Sequence, residues 1–271
     1  IGKRMFPVTR DKFLIKFLGK TLLEHHITQA FNAGFKDFII VGNPTNVDAI
    51  KNVCKNAGFH VKVFVQEHPQ GMADALLTAK EEILDDEILV VNPNDIFDQN
   101  LYEKILRESR DGAYSSFITG YRVHNYFPGG YLVVNDKLEL LSIHEKPGEG
   151  REPSNLVNIV VHLHKDVEKL IYYMERTDSL HDDVYECALT NMISDGYKVK
   201  VVEYDGEWVA IKYPWHILDA LKYFLKSIKN PIIKESASIS EKACILGNVI
   251  LEDNVKVLSL IHISEPTRLG M

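Results

Sequence analysis

Cysteine is scarce in this sequence. Three residues among 271, Cys54, Cys187 and Cys244, stand far apart and are odd in number. That excludes a disulfide framework, and no pair has the spacing of metal ligands. Reduced thiols in a cytoplasmic setting are expected. Long apolar runs are lacking too: none approaches the roughly 20 residues of a membrane-spanning helix. No secretory signal is visible after Ile1, and the absence of an initiator Met leaves the true start open. Nor is there a basic excess. Lys and Arg number 31 against 38 Asp and Glu, a net charge of −7, which argues against a nucleic-acid surface. A local basic pocket for phosphates remains compatible with that balance.

What is present is an ordinary globular composition, 45% hydrophobic and 25% charged, in a chain long enough for one large α/β domain or two smaller ones. In residues 20–33, Leu22, Leu23, Ile27, Ala30 and Phe31 recur at helical spacing and Gly34 follows as the stop. Residues 37–41 read as a buried strand, 46–57 as a helix ended by Gly58, and 63–65 as a strand. A helix follows Gly71 (Met72, Ala75, Leu76, Ala79, Ile83), then a strand over 88–91. This alternation predicts βαβ units and a parallel sheet.

Beyond residue 100 the rhythm changes. A helix (101–110) precedes a long strand (115–123). A hairpin over 131–134 and 137–144 is turned by Asn135-Asp136, and an apolar strand spans 156–164. Helices over 167–176 and 183–194, strands over 197–204 and 208–211, and a helix over 215–225 complete a domain of residues 1–230. The expected fold is α/β: a Rossmann-like mixed, mostly parallel sheet with helices on both faces. In residues 231–257, Ala237, Ala243, Val249 and Val255 recur every six positions, as do Ile239, Ile245, Leu251 and Val257. Two interleaved hexad series predict the start of a truncated left-handed parallel β-helix. Residues 258–271 break the pattern and are expected to be the in-frame translation of a sequencing adapter, without function.

Polar residues sit where α/β sheets bind ligands, beyond the carboxyl ends of strands: Gln66 after one, Asp95 after the next. Gly2-Lys3-Arg4 joins a glycine to basic side chains, a pattern that lets backbone N–H groups and a guanidinium approach phosphates. Each has a bland alternative. Gly-x-Arg is common, Gln66 fits a solvated strand end, Gly71 a plain turn, Asp95 a cap, and Glu145-Lys146 a solvated pair.

In combination, however, the segments resemble the sugar-1-phosphate nucleotidylyltransferase family over about residues 2–257. Gly2 takes the place of the second glycine of the signature loop. Arg4, Met5, Pro7 and Thr9 match it, Lys3 stands where Thr or Ser is usual, and the first strand and first glycine are absent. Lys12, with Lys16 as competitor, stands in for the loop's lysine. Gln66, four intervening residues, and Gly71-Met72-Ala73-Asp74-Ala75 follow the base-binding pattern. The resemblance implies that Arg4, Lys12 and Asp95 are catalytic, with Asp95 holding Mg²⁺. It implies nucleotide binding by Gly2, Arg4, Gln66 and Gly71, and sugar-phosphate binding by Gly130, Glu145, Lys146 and Asn158. The implied reaction joins a pyrimidine nucleoside triphosphate, UTP or dTTP, to a sugar 1-phosphate, releasing pyrophosphate. Homo-oligomers through a full-length β-helix are expected by analogy. Departures are Val160 for a glycine, His162 for a tyrosine and Ala210 for a second metal-binding carboxylate, with Asp205 and Glu207 nearby. They keep a non-catalytic binding homologue in view, and the hexads keep a bifunctional nucleotidylyl/acyltransferase.

Overall fold

A computed structural model describes residues 3–6, 8–9, 11–179, 183–258 and 262–263. Two 3-10 turns, Lys3–Met5 and Lys12–Leu14, lead into a hairpin of β1 (Lys16–Phe17) and β2 (Lys20–Thr21). Its two-residue turn has Leu18 at φ 51° and Gly19 at φ 87°, the paired positive values that match the twist of a tight hairpin. Helix α1 (Leu22–Asn32) follows. Gly34 at φ 112° ends it, and the Phe35 N–H returns to the Ala30 carbonyl at 3.1 Å. The chain divides into two compact units, Glu24–Trp208 and Ile1–Leu23 with Val209–Met271.

The larger unit continues with β3 (Ile39–Gly42), α2 (Val47–Asn56) and β4 (Lys62–Val65), β3 and β4 pairing in parallel. One helix was expected from Gly71 to Ile83. Two occur, α3 (Met72–Thr78) and α4 (Lys80–Ile83), broken where Ala79 leaves the helical region at φ −99°, ψ 8°. Then come β5 (Ile88–Val91), β6 (Asp95–Phe97), α5 (Asn100–Glu108), β7 (Ser116–Arg122), β8 (Gly130–Val134) and β9 (Leu140–Glu145). The unit finishes with β10 (Leu156–His164), α6 (Val167–Met174), α7 (Val184–Ser194) and β11 (Val199–Tyr204).

The main sheet runs β11-β7-β10-β8-β9, with β5 on β10 as well. Strand β10 is antiparallel to β5, β7 and β8, and β8 is antiparallel to β9; β11 joins β7 in parallel. The expectation of a mostly parallel sheet is therefore corrected to a mixed sheet in which antiparallel pairs predominate among the described residues. The cause is the reversed course of β10: it lies against β5, β7 and β8, which all run opposite to it, so each of its pairs is antiparallel. The short connection from β8 to β9 reverses the chain and adds a fourth antiparallel pair. Strand β11, reached through α6 and α7, runs with β7.

Along β10 the residues alternate between faces. Ile159, Val161 and Leu163 join Phe97, Leu101, Tyr102, Ile105 and Phe117 in one core cluster, which places α5 on that face. His162 and His164 point the other way, to Tyr185 of α7. Helices thus cover both faces. A second cluster unites Ala73, Leu170, Ile171, Met174, Ala188 and Leu189 from α3, α6 and α7.

The smaller unit resumes at Val209, within β12 (Trp208–Ala210), and continues to α8 (His216–Lys226), where Phe224 stacks on Phe17 at 5.2 Å. Six two-residue strands follow: β13 (Ile232–Ile233), β14 (Ser238–Ile239), β15 (Cys244–Ile245), β16 (Ile250–Leu251), β17 (Lys256–Val257) and β18 (His262–Ile263). They pair in parallel, β13 with β16, β14 with β17 and β15 with β18, partners always eighteen residues apart. Val249, Leu251 and Val257 are buried against Ala237, Ala243, Ile245 and Val255, so seven of the eight hexad residues share one cluster. Ile239 is exposed. Apart from β18 and Leu258, the expected adapter segment lies outside the described residues. Among the described residues, no helix is long and apolar enough to cross a membrane.

Candidate active site

Three strand ends of the larger unit carry the predicted side chains. The first is the end of β4. The Gln66 N–H donates to the Gly42 carbonyl at 2.8 Å, and its side-chain Nε2 donates to Asp74 Oδ2 at 2.6 Å and to the Gly71 carbonyl at 3.1 Å. Both amide hydrogens are thus committed to the loop, leaving Oε1 as the Gln66 atom able to meet a ligand donor. Gly71, at φ 101° and ψ −167°, caps α3 in a conformation open in practice only to glycine. Asp74 had no role in the sequence reading beyond its place in the motif. Its carboxylate holds Gln66 and reaches back to the Gln70 N–H at 3.4 Å. An Asp in the first turn after a glycine cap was the available signal, since carboxylates there satisfy free N–H groups and meet the positive helix end.

The second is the end of β5. Asn92 Oδ1 accepts from the Asn94 N–H at 3.2 Å and Nδ2 at 2.9 Å, forming the turn that delivers Asp95 to the start of β6. The Asn92 N–H donates to the Val160 carbonyl at 2.9 Å, so this turn is fastened to β10 two residues beyond Asn158. Asp95 is half-buried. His26 lies buried beside the Asp95 backbone with Nδ1 3.0 Å from the Tyr102 hydroxyl, and burial pulls its pKa down to about 4. Among the described residues no group of three His, Cys, Asp or Glu is gathered to hold a metal. A single carboxylate fits a hard cation that takes its other oxygens from phosphate and water, as Mg²⁺ does.

The third comprises β8, β9 and β10. Gly130 and Glu145 are cross-strand partners. A Cβ on Gly130 would stand 3.0 Å from Glu145 Oε2 and 3.5 Å from the Asn158 Cβ, so all three residues converge on one spot. Lys146 follows with Nζ 2.5 Å from Glu145 Oε1 and its backbone at φ 45°. A lysine in the left-handed region is strained, and such strain gathers at functional sites. Its N–H donates to the Gly129 carbonyl at 3.1 Å, which holds it there.

Asn158 Oδ1 faces His162 Nε2 at 2.8 Å; His162 Nδ1 and His164 Nε2 each lie 2.7 Å from the Tyr185 hydroxyl; and His164 Nδ1 lies 2.8 Å from Ser116 Oγ. Burial lowers the pKa of His162, with His164 adding to the effect, and pulls His164 down to about 3. The sequence marked His162 only as a departure. That Asn158, His162 and His164 share a strand face was legible in their even spacing.

The smaller unit holds the remaining predicted residues. Arg4 is exposed in the Lys3–Met5 turn, its guanidinium 5.6 Å from the Tyr213 ring centre, and Tyr213 stacks on Trp215 at 4.6 Å. Lys12 is half-buried in the second 3-10 turn, whereas its competitor Lys16 opens β1 exposed. His216 Nδ1 accepts from the Lys212 N–H at 3.0 Å and the Tyr213 N–H at 3.3 Å, fixing the turn before α8. Ala210 ends β12. Gly2 and Pro7 lie outside the described residues.

The Nucleotidyl transferase family matches residues 1–221. The bifunctional protein GlmU of Methanocaldococcus jannaschii is 31% identical over 258 residues, covering 93% of this chain and 58% of the relative. A bifunctional sugar-1-phosphate nucleotidylyltransferase/acetyltransferase of Sulfurisphaera tokodaii is 27% identical over 266 residues, covering 97% and 62% respectively. The chain thus spans about three fifths of the length of these curated relatives. Among solved structures, a UTP-bound UGPase of Acinetobacter baumannii has a TM-score of 0.68 at 17% identity, covering 84% of this chain and 91% of that one. At that identity the likeness is one of fold.

Proposed function

The chain belongs to the nucleotidyl transferase family of enzymes, and from that premise we propose that it transfers a nucleotidyl group from UTP or dTTP to a sugar 1-phosphate. A phosphate oxygen of the sugar 1-phosphate attacks the α-phosphorus in line, the bond to the β-phosphate breaks, and pyrophosphate leaves. No covalent protein intermediate is required; positioning and charge neutralisation carry the catalysis. The observation that carries this reading is the convergence of Gly130, Glu145 and Asn158, with Lys146 alongside. It joins an acceptor and an amide for sugar hydroxyls to an ammonium for the attacking phosphate.

In this reading Gln66 and Gly71 meet the pyrimidine base, with Gln66 Oε1 accepting and the glycine admitting the ring close to backbone. Arg4 and Lys12 neutralise the triphosphate, with Gly2 in the same loop. Asp95 would hold Mg²⁺, which when bound supplies positive charge to the phosphates. The UTP named with the Acinetobacter structure supports the pyrimidine preference.

A second activity, acyl transfer, is favoured by the bifunctional names of the relatives and by the three parallel strand pairs at eighteen-residue offsets, three hexads per repeat. We read residues 231–257 as the start of a left-handed parallel β-helix, through which the intact protein would also self-associate. The test is pyrophosphate release with Mg²⁺, each of UTP, dTTP, ATP and GTP, and a panel of hexose 1-phosphates. Turnover confined to the pyrimidine nucleotides is expected. Nucleotide binding without turnover for any pair would instead establish a non-catalytic homologue, the outcome that Ala210 and Val160 motivate.

A further inference from the structure

Five polar residues, Ser116, His164, Tyr185, His162 and Asn158, form a continuous hydrogen-bonded chain from β7 through α7 to the candidate sugar site. Ser116, His162, His164 and Tyr185 are at most 1% exposed, while Asn158 is half-buried. Every link lies between 2.7 and 2.8 Å. Buried polar groups of this kind are specified by their partners, and a fully paired network fixes one arrangement.

With the Asn158 oxygen facing His162, proton counting gives the chain a direction. A neutral imidazole has one N–H and one acceptor nitrogen, and a tyrosine hydroxyl has one proton. Asn158 Oδ1 can only accept, so His162 carries its proton on Nε2. His162 Nδ1 then accepts from the Tyr185 hydroxyl. Having given its proton, the Tyr185 oxygen accepts from His164 Nε2–H. His164 Nδ1 accepts from the Ser116 hydroxyl. Each of the four bonds has one donor and one acceptor. Turning the Asn158 amide over would set Nδ2 against His162 and force every proton to shift, reversing the tautomers of both histidines.

We propose that Ser116, His164, Tyr185 and His162 are positioning residues that lock the Asn158 amide so that its NH₂ group is presented to a hydroxyl of the sugar 1-phosphate. The inference rests on the functional reading above and deepens it. Among the described residues the Asn158 Nδ2 forms no hydrogen bond, and the Asn158 Cβ borders the spot where Gly130 and Glu145 meet. The absence of a charge on the buried histidines keeps the lock from drawing in a counterion, and their lowered pKa values agree.

The test uses the full chain, with Tyr185→Phe, His162→Leu and His162→Gln. Affinities for UTP and for glucose 1-phosphate, or the hexose 1-phosphate the unchanged chain uses best, are measured by calorimetry. Long-range proton–nitrogen spectra of the unchanged chain read the histidine tautomers. Both histidines are expected as Nε2–H. Tyr185→Phe and His162→Leu are expected to weaken sugar-phosphate binding about tenfold, ~1.4 kcal/mol, with UTP binding unmoved. His162→Gln, whose amide can give to Asn158 and accept from Tyr185, restores most of it. An Nδ1–H tautomer at His162 in the unchanged chain overturns the proposal even if no variant folds. So does undiminished sugar-phosphate binding in Tyr185→Phe and His162→Leu, or an equal loss of UTP. Failure of the unchanged chain to bind UTP overturns the functional reading instead, and is distinguished by being present before any substitution.

Discussion

Lowering the pH from 7 to 5 should destabilise this protein steeply through three buried histidines. His26, His162 and His164 are at most 6% exposed, and burial holds each pKa below the ordinary 6.5, at about 4 for His26 and about 3 for His164. In each the folded value lies below the unfolded one, so the unfolded chain binds the proton first. Stability is therefore unaffected above pH 6.5, falls as the pH drops through 6.5, and stops falling only below the folded values. At pH 5 the span crossed is ~1.5 pH units, worth about 2 kcal/mol per histidine at 1.36 kcal/mol per unit. For His26 and His164 together that gives about 4 kcal/mol, a large share of the whole stability of a domain, about 5–15 kcal/mol, and His162 acts in the same direction. Urea unfolding at pH 7, 6 and 5, followed by the fluorescence of Trp208 and Trp215, measures it. A free energy at pH 5 within about 1 kcal/mol of that at pH 7 would refute the reasoning, since it would mean that the imidazoles take up protons in the folded state at little cost.

Three substitutions test the site itself. Gly71→Ala forces a Cβ onto a backbone at φ 101°; a loss of about 1–3 kcal/mol in stability is expected, with weakened nucleotide binding, and calorimetry with UTP checks the latter. Lys146→Gly relieves a left-handed lysine at φ 45°, so thermal unfolding should show a gain of about 1 kcal/mol, while use of the sugar 1-phosphate falls. Loss of both stability and activity would mean that the ammonium, not the strain, dominates the fold there. Asp95→Asn keeps the shape and removes the charge. Mg²⁺-dependent pyrophosphate release should drop by a hundredfold or more, a barrier of at least about 2.7 kcal/mol, and unchanged rates would remove Asp95 from metal binding.

Periodicity alone located most of the elements of the larger unit, because three-and-four and every-second spacings arise from local backbone geometry. The glycines that stop α1 and α2 and the one that caps α3 were readable for the same reason: Gly34, Gly58 and Gly71 have positive φ. The hexads likewise announced the short parallel strands and their shared cluster.

Strand direction was not readable. An apolar run such as 156–164 carries no sign of which way its neighbours run, so the antiparallel insertion of β10 among β5, β7 and β8 appears only in the register of its pairs. Nor could spacing reveal that Asp74 and the Gly71 carbonyl between them tie down both amide hydrogens of Gln66. The sequence by itself determined which polar and glycine residues stand at strand ends and at which spacing, since residue type and local spacing are covalent facts. The tertiary structure decided which of them meet. Gly130, Glu145 and Asn158 belong to three strands brought together by pairing, and Asn158 is linked to Ser116, 42 positions earlier, through two imidazoles and a phenol. Such contacts depend on register and on the proton each buried group must give or take, and neither is written in any local stretch of the chain.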